Sequence, residues 1–464
     1  MEDLASKAID HAVSHGAEFA DLRLESYRGT NIVVMDGRTK TVSAALPTGC
    51  GIRAFIGGAW GFAVTNDVSP SSLSAAAESA VKMAKVAQQR TKVKFKIDLA
   101  KAERAVEKYK CAVRPSDVRT EDKVAFAANL DKSMRSADPR IVSTNARYDD
   151  FEGERVVANS FGTLVRTTEA WTLASCSAWA KSDDIVQRGH SACGSVGGYE
   201  LMRTEEATML GETAAAQAIR LLDSKPVPAG RRVCVLDNKM TGLLAHEAIG
   251  HACEADAILA GGSVLEGRLG QKVAAPEVTL VDDPTIESTF GHFSYDWEGV
   301  RARRRVLIGE GVLTEFLHNL ETSSRMGVEP NGSSRAHTYG SPPLVRMSNT
   351  FIAPGDWGRD ELIEDTKDGI LFQGSQYGYV EPSKGQFMFK CDEAYEIRSG
   401  EVGQRYRDAS LSGVILDVLN SVTGVADDFT TGDPGYCGKN YQDARVTDGG
   451  PHIRLADVVV GGLA

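Results

Sequence analysis

The spacing of apolar residues predicts several amphipathic helices in the first half of the chain. Leu4, Ala8, Ile9 and Ala12 recur at helical intervals, and Ser69-Pro70 is typical of a helix start, with serine as the cap and proline in the first turn. The predicted helices of this half are 4–15, 70–89, 121–137 and 204–222.

Alternation of apolar and polar residues predicts strands between these helices and through most of the second half. Gly57-Gly58 is expected to turn one hairpin, and Gly309-Glu310-Gly311 another. The predicted strands are 20–25, 31–35, 51–56, 59–65, several within 140–180, 303–308, 312–317, 386–397 and 453–460. Residues 91–114 are interpreted as a charged connection, and residues 411–422 are predicted to form one short helix.

A segment that contains proline and glycine, residues 223–230, is interpreted as a linker between two domains. The chain has 464 residues, which is long for one core, and its hydrophobic content of 42% is enough for sizeable cores. We therefore expect an α+β protein with an N-terminal α+β domain over 1–222 and a β-rich C-terminal domain over 231–464.

The overall charge argues against two classes of partner. The net charge is −11 and the pI is near 5.4, whereas binding to nucleic acid or an anionic membrane needs concentrated Lys and Arg. The densest basic cluster, 301–305, is interpreted as the charged face of a strand. No secretory signal and no bilayer-spanning run are recognised. Because the eight cysteines are scattered without a C-x-x-C motif, we expect a cytoplasmic protein.

The hexapeptide His246-Glu247-Ala248-Ile249-Gly250-His251 is the most informative motif. Imidazoles bind divalent metals such as zinc, and an adjacent carboxylate can accept a proton from water. The better-known H-E-x-x-H motif places its histidines four apart, but here they are five apart, which in a regular α-helix is about 140° around the axis. A π-bulge would return both to one side, and Gly250 is a suitable place for it. A buried structural histidine pair is the alternative.

A metal centre needs a further protein ligand, and the residues alone leave several candidates. Cys253 and Glu254 follow the motif directly, and glutamate is a ligand in some zinc proteases. Cys437 lies beside glycine and close to Lys439, a cation that favours the ligating thiolate. The alternative for Cys437 is an inert cysteine.

The chain resembles the TldD/PmbA metalloprotease family, also known as modulators of DNA gyrase, nearly from end to end. The matching segments are Gly51–Ala54, Gly57–Ala63, the motif with Glu254 and Asp256, Arg346–Phe351, Gly385–Phe387, Cys437–Lys439 and Val459–Gly462. The resemblance implies that the β-rich domain is catalytic, with metal ligands at His246, His251 and Cys437 and Glu247 as the catalytic carboxylate. Because all four positions are filled, the chain resembles the active TldD-type subunit.

The resemblance also implies a metal-dependent endopeptidase that acts on peptides or unfolded protein segments. Zinc is the expected ion, although iron(II) and cobalt(II) also suit imidazole and thiolate ligands. The family forms dimers, so we expect a homodimer or a heterodimer with an inactive TldE/PmbA-type homologue. Two alternatives stay open, namely a metal-dependent amidohydrolase that acts on small amides and a non-catalytic regulatory or binding subunit.

Two features of the proposed reaction are less determined by the sequence. A peptide is expected to bind as an added strand, through backbone hydrogen bonds. The group that stabilises the oxyanion has five candidates of equal standing: His292, Tyr295, His318, His337 and Tyr441. Tyr441 is also a departure from the family, which often has glycine after Cys-Gly-Lys.

Overall fold

The structure is a computed structural model that describes residues 1–98, 101–287 and 289–461. Helices and strands both make up large parts of it, which confirms the α+β class. The α-helices are α1 (Glu2–Ser14), α2 (Pro70–Gln88), α3 (Thr120–Ala137), α4 (Glu205–Leu222), α5 (Asn238–Leu243), α6 (Ala255–Leu259), α7 (Leu320–Met326), α8 (Arg359–Thr366) and α9 (Ile415–Asn420). No helix among these residues is both long and apolar enough to cross a membrane.

The strands of the N-terminal half are β1 (Phe19–Met35), β2 (Arg38–Ala45), β3 (Thr48–Ile56), β4 (Ala59–Thr65), β5 (Arg104–Lys108), β6 (Ile141–Asn159), β7 (Leu164–Ser182) and β8 (Ile185–Val196). They form one sheet in the order β4-β3-β1-β6-β7-β5, with β2 paired to β1 and β8 to β7. One apolar core lies between this sheet and α1 with α2, and a second between the sheet and α3 with α4.

The remaining strands are β9 (Lys225–Pro226), β10 (Gly230–Leu236), β11 (Leu280–Asp282), β12 (Arg305–Gly309), β13 (Val312–Leu313), β14 (Ser334–Arg335), β15 (Leu344–Val345), β16 (Asn349–Ile352), β17 (Asp368–Gln373), β18 (Tyr377–Glu381), β19 (Gln386–Lys390), β20 (Glu393–Arg398), β21 (Glu401–Arg407), β22 (Ser410–Val414), β23 (Val422–Val425), β24 (Thr430–Lys439), β25 (Gln442–Gly450) and β26 (Ile453–Gly461). The division of the chain at 223–230 stays a prediction.

Two larger sheets organise the C-terminal half. One has the order β18-β19-β22-β26-β10-β17-β20-β21-β9, with β23 paired to β26, and the other has the order β13-β12-β11-β16-β25-β24. β14 and β15 pair separately. The segment that contains the His246–His251 motif contacts strands of both sheets, and all three share one apolar core. The motif is therefore held between sheets rather than on an isolated surface helix.

The predicted helices of the N-terminal half are confirmed, with ends within about two residues of those expected. The reason is local, because Ser69 accepts a hydrogen bond from the backbone N–H of Ser72, and Thr204 accepts one from Ala207. The hairpin around Gly57-Gly58 is also confirmed, and both glycines have positive φ angles of 52° and 92°.

The predicted single strand at 386–397 is wrong. β19 ends at Lys390 and pairs with β18 and β22, whereas β20 begins at Glu393 and pairs with β17 and β21. The backbone N–H of Cys391 donates to the carbonyl of Ala409 at 3.2 Å, so the chain changes partners at this point. The local pattern of apolar and polar residues does not show where a strand moves to a new neighbour.

Further differences have the same origin in long-range pairing. The segments 20–25 and 31–35 form the single strand β1, because β6 pairs with it continuously from Asp21 to Met35. The predicted connection 91–114 contains β5, which pairs in parallel with β7. The predicted helix within 411–422 begins only at Ile415, after β22.

The basic cluster 301–305 is not uniformly a charged strand face. Arg303 is about half exposed, as expected, and pairs with Glu315. Arg305 is fully buried, where its guanidinium pairs with Asp282 and donates to the backbone carbonyls of Asn331 and Gly332. A buried charge is tolerated only with such partners, and none of them is near Arg305 in the sequence.

Candidate metal centre

The motif follows α5, a short helix that Asp237 caps at the end of β10. The Asp237 carboxylate accepts hydrogen bonds from the backbone N–H groups of Met240 and Gly374, both at 2.8 Å. After α5 the chain forms a π-helix over Leu244–Gly250, followed by a 3₁₀ turn over His251–Cys253. The π-helix bonds residue i to residue i+5, so histidines five apart share one side. The predicted helix distortion is confirmed.

Gly250 is required at the end of the π-helix by the residue packed against it. A Cβ atom at this position would lie 2.0 Å from Sδ of Met347. Any side chain here would push Met347 or the helix aside. Gly250 is also the last residue of the π-helix, which agrees with the prediction that it marks the distortion.

Cys437 reaches the motif from the hairpin of β24 and β25, 186 residues beyond His251. The metal-binding atoms of His246, His251 and Cys437 all lie within 4.8 Å of one another, and Cys437 Sγ is 3.3 Å from His251 Nε2. Zinc bonds of about 2.0–2.3 Å set tetrahedral ligand atoms roughly 3.3–3.8 Å apart. The structure therefore brings the three predicted ligand residues together at nearly the required spacing.

The electrostatics of these residues suit a cation. Burial alone would raise the pKa of the Cys437 thiol, but His246 and His251 outweigh burial and lower that pKa to about 4. Nδ1 of His246 is buried without a hydrogen-bond partner among the described residues, which is costly for a polar atom. A thiolate with two nearby imidazoles and an unpaired ring nitrogen is a donor set that fits a divalent ion such as zinc.

Glu247 lies at the open side of this cluster. Its carboxylate Oε2 is 4.0 Å from His251 Nε2, and its side chain is 28% exposed while His246 is almost fully buried. The backbone of Gly378 on β18 is also adjacent, since a Cβ there would be 3.4 Å from Glu247 Cγ. Glu247 therefore stands between the ligand cluster and an accessible strand.

Glu254 does not lie among the ligand atoms and instead contacts the far side of the His251 ring. Its Oε2 atom is 3.1 Å from His251 Nδ1 and 3.0 Å from Lys439 Nζ. Lys439 Nζ also donates to both carboxylate oxygens of Asp256 at 2.8 Å. A carboxylate on the second nitrogen of a ligand histidine orients the ring and raises its basicity. Glu254 and Lys439 thus join the motif to the hairpin that carries Cys437.

This network changes the expected effect of Lys439 on Cys437. The sequence suggested that the lysine itself favours the thiolate, but its ammonium is paired with Glu254 and Asp256. The thiolate is favoured by the two imidazoles instead. Cys253, the other candidate sulfur ligand, is fully buried in the apolar core, where burial raises the pKa of its thiol and disfavours the ligating thiolate.

Two residues of this region were not singled out from the sequence. The buried guanidinium of Arg346 donates to the carbonyls of Cys437 and Gln442, and so holds both arms of the hairpin. Asp448 on β25 lies close enough to His246 and Glu247 for their charges to affect it, and burial raises its pKa to about 7. Arg346 is the first residue of one of the segments that resemble the family, Arg346–Phe351. No pattern in the sequence around Asp448 indicates a role for this residue.

The five candidates for oxyanion stabilisation are not gathered at the ligand cluster by the described hydrogen bonds. His292 contacts the carbonyl of Pro284, and His318 contacts Thr322. Tyr295 forms a backbone bridge with Arg301, remote in sequence from the hairpin. His337 accepts a hydrogen bond from the backbone of Asp443, near the tip of the hairpin.

Tyr441 occupies that tip. It is fully exposed, and its φ of 60° follows a φ of 50° at Asn440. Successive positive φ angles are typical of a tight hairpin turn and favour glycine, which explains why the family often has glycine here. The departure from the family therefore lies in the exposed turn between β24 and β25, and it removes none of the candidate ligands.

Comparison with protein families matches three regions of the chain. Residues 20–84 match the PmbA/TldA metallopeptidase domain 1, residues 113–222 match the central domain, and residues 229–462 match the C-terminal domain. The last region contains all three candidate ligands, His246, His251 and Cys437.

Relatives and solved structures extend over almost the full length. A metalloprotease from Methanothermobacter thermautotrophicus is 40% identical over 447 residues, which cover 96% of each chain. A zinc metalloprotease TldD homolog from Saccharolobus solfataricus is 26% identical and covers 98% of this chain and 99% of its own. Two solved structures share the fold, and each alignment covers 99% of this chain and 100% of the solved chain.

The first, from Thermotoga maritima, carries the name modulator of a DNA gyrase and has a TM-score of 0.80 at 21% identity. The second is TldE from Thermococcus kodakarensis, with a TM-score of 0.79 at 18% identity. At these identities the two structures show the fold alone. The domain matches and the 40% identical relative establish the assignment, and the chain belongs to the PmbA/TldD metallopeptidase family.

Proposed function

We propose that the protein is a metal-dependent endopeptidase that hydrolyses peptides or unfolded protein segments. The observation that carries the proposal is the convergence of His246, His251 and Cys437 beside Glu247. Three protein ligands leave the next coordination position open, as in catalytic rather than structural sites. A divalent ion bound there supplies a Lewis acid that polarises a carbonyl and acidifies water. Zinc is the first choice because nitrogen and sulfur ligands suit it, and one relative is named a zinc metalloprotease.

Glu247 is assigned as the general base. It lies beside the ligand atoms but is more exposed than His246, so it can reach both the centre and a substrate. Its carboxylate accepts the proton of the attacking water and passes it to the leaving amine. Because a thiolate ligand donates charge and weakens the Lewis acid, proton transfer by Glu247 contributes more here than in an all-imidazole site.

The edge of the ten-stranded sheet offers a binding place for an extended peptide. β18 pairs with β19 on one side, and none of the described strands pairs with its other side. Its backbone approaches Glu247 at Gly378. A substrate that adds to this edge would be recognised mainly through main-chain hydrogen bonds, which tolerate many sequences. Peptides of unrelated sequence should then compete about equally, and strong selectivity among them argues against strand addition.

The proposal is tested by Glu247→Gln, with Glu266→Gln as the matched exposed control. Cobalt-loaded protein reports the centre directly, because a thiolate ligand adds a charge-transfer absorption. We expect Glu247→Gln to keep this absorption and to lose about 10²–10⁴-fold in cleavage of an unstructured protein chain, while the control keeps both. Full activity of Glu247→Gln contradicts its assignment as the base.

The wild-type protein distinguishes the two other functions. Cleavage of short amides without cleavage of unstructured chains indicates an amidohydrolase. Failure to develop the cobalt–thiolate absorption after reconstitution contradicts the metal centre and indicates a binding subunit.

The assembly state belongs to the same proposal. A protease that acts on unfolded segments must exclude folded proteins, and an enclosed dimer does so. The solved TldE shares this fold, which supports pairing of two chains of this kind, either identical or with an inactive homologue. Light scattering of the isolated chain distinguishes a homodimer from a monomer that awaits a partner.

A further inference from the structure

A second group of metal-binding side chains lies on the helices of the N-terminal half, outside the centre described above. His11 lies in the last turn of α1, His15 is the residue that follows this helix, and Glu78 lies on α2, which packs against α1. One binding atom from each of the three lies within 4.8 Å of the other two. The rings of His11 and His15 nevertheless lie close together, with their centroids 4.2 Å apart.

The separations suit a common ion. Oε1 of Glu78 is 3.1 Å from Nε2 of His11 and 3.9 Å from Nε2 of His15. Bonds of about 2.0–2.2 Å to nitrogen and oxygen set tetrahedral ligand atoms roughly 3.3–3.6 Å apart. The observed distances lie on either side of this range. Because His11 Nε2 is within hydrogen-bonding distance of Glu78 Oε1, an ion enters by displacing the hydrogen on this nitrogen, together with small side-chain rotations.

The hydrogen bonds of His15 determine which of its nitrogens is available. Nδ1 of His15 is 2.8 Å from the backbone carbonyl of His11. A carbonyl only accepts, so Nδ1 carries the hydrogen, and in the neutral ring Nε2 presents a lone pair towards Glu78. A lone pair and a carboxylate that face each other repel, and a cation between them relieves this repulsion. A ring nitrogen that donates to a backbone carbonyl is also the usual arrangement of a metal-bound histidine.

The neighbouring lysines leave the shared oxygen free. Lys82 Nζ is 3.6 Å from Oε2 of Glu78, the other oxygen, and Lys85 Nζ donates to the carbonyl of His15. The side chains of His11, His15 and Glu78 are 28%, 44% and 38% exposed. Water can therefore complete the coordination, and the two lysines will weaken the affinity relative to the buried centre.

We propose that His11, His15 and Glu78 form a second, peripheral site for a divalent transition ion that prefers imidazole, such as Zn²⁺. An ion held there links α1 to α2 and stabilises the N-terminal half in proportion to its concentration. This site is independent of the proposed peptidase centre, since it shares none of its residues and contains no thiolate. The metal content per chain then exceeds the number of catalytic centres.

The test compares full-length wild type with His11→Ala/His15→Ala and, as a matched histidine control, His337→Ala. Calorimetric titration of metal-stripped protein with Zn²⁺ is expected to give two ions per chain for wild type and His337→Ala, and one for the double variant. The double variant should keep the cobalt–thiolate absorption and peptide cleavage. Equal melting temperatures in EDTA will show that it folds.

Three results would overturn the inference. The first is a single Zn²⁺ per chain in wild type with no change in the double variant. The second is an equal loss in His337→Ala, which indicates non-specific binding to histidines. The third is a melting temperature that His11 and His15 make dependent on pH but not on Zn²⁺. That result indicates that protonated histidine forms an ion pair with Glu78. Absence of the cobalt–thiolate absorption in wild type would instead contradict the proposed peptidase centre. It would not bear on the proposed site at His11, His15 and Glu78.

Discussion

Replacement of Lys439 by methionine removes the only described cation that joins Glu254 to Asp256. Lys439 Nζ is 3.0 Å from Glu254 Oε2 and 2.8 Å from both oxygens of Asp256. Removal of one partner from a buried ion pair costs about 3–5 kcal/mol, since the other charge stays buried without compensation. Glu254 retains its contact with His251, and the Asp256 side chain is 30% exposed and can be hydrated. We therefore expect the lower end of that range, about 3 kcal/mol.

The matched control is Lys101→Met. Lys101 Nζ is 2.9 Å from Glu329 Oε2, a separation like that in the buried network, but both side chains are mostly exposed. Exposed ion pairs contribute little to stability because water and salt screen them. Urea denaturation in EDTA measures the two variants without metal, and the midpoint should fall clearly for Lys439→Met and hardly change for Lys101→Met.

A second measurement separates the network from general stability. Because Glu254 orients the ring of His251, loss of Lys439 should also weaken metal binding, by about 10–100-fold. Competition with a chromophoric chelator measures this affinity. Equal stability losses in Lys439→Met and Lys101→Met, or an unchanged metal affinity in Lys439→Met, would refute the reasoning.

Three further results are expected. Cys437→Ala should abolish the cobalt–thiolate absorption, which will persist if another residue supplies the sulfur ligand. Gly250→Ala should destabilise the protein by about 1–3 kcal/mol through overpacking against Met347. Adding Met347→Ala to this variant should recover part of the lost stability. If it recovers none, the conformation of the π-helix, rather than the contact with Met347, excludes a side chain at position 250. EDTA should abolish peptide cleavage and Zn²⁺ should restore it, whereas cleavage that survives complete metal removal contradicts the metallopeptidase proposal.

The sequence by itself determined the features that depend on neighbouring residues. The cap Ser69 and the periodicity of apolar residues located α2 and α4 within two residues. The five-residue spacing of His246 and His251 required a distorted helix, and the π-helix satisfies that requirement. These features could be read locally because helix caps and side-chain periodicity act over a few residues.

Only the tertiary structure decided which distant residues meet. Cys437 joins a motif 186 residues away because β25 pairs with both β24 and β16, beside the π-helix. Glu254, a candidate ligand by its position in the sequence, lies instead behind the His251 ring, since the chain leaves the helix at that residue. The break at Cys391 was invisible for the same reason, because strand partners are chosen by long-range packing rather than by local pattern. Local spacing thus specified the geometry of the two histidines, while sheet pairing brought Cys437 and the charged network around Lys439 beside them.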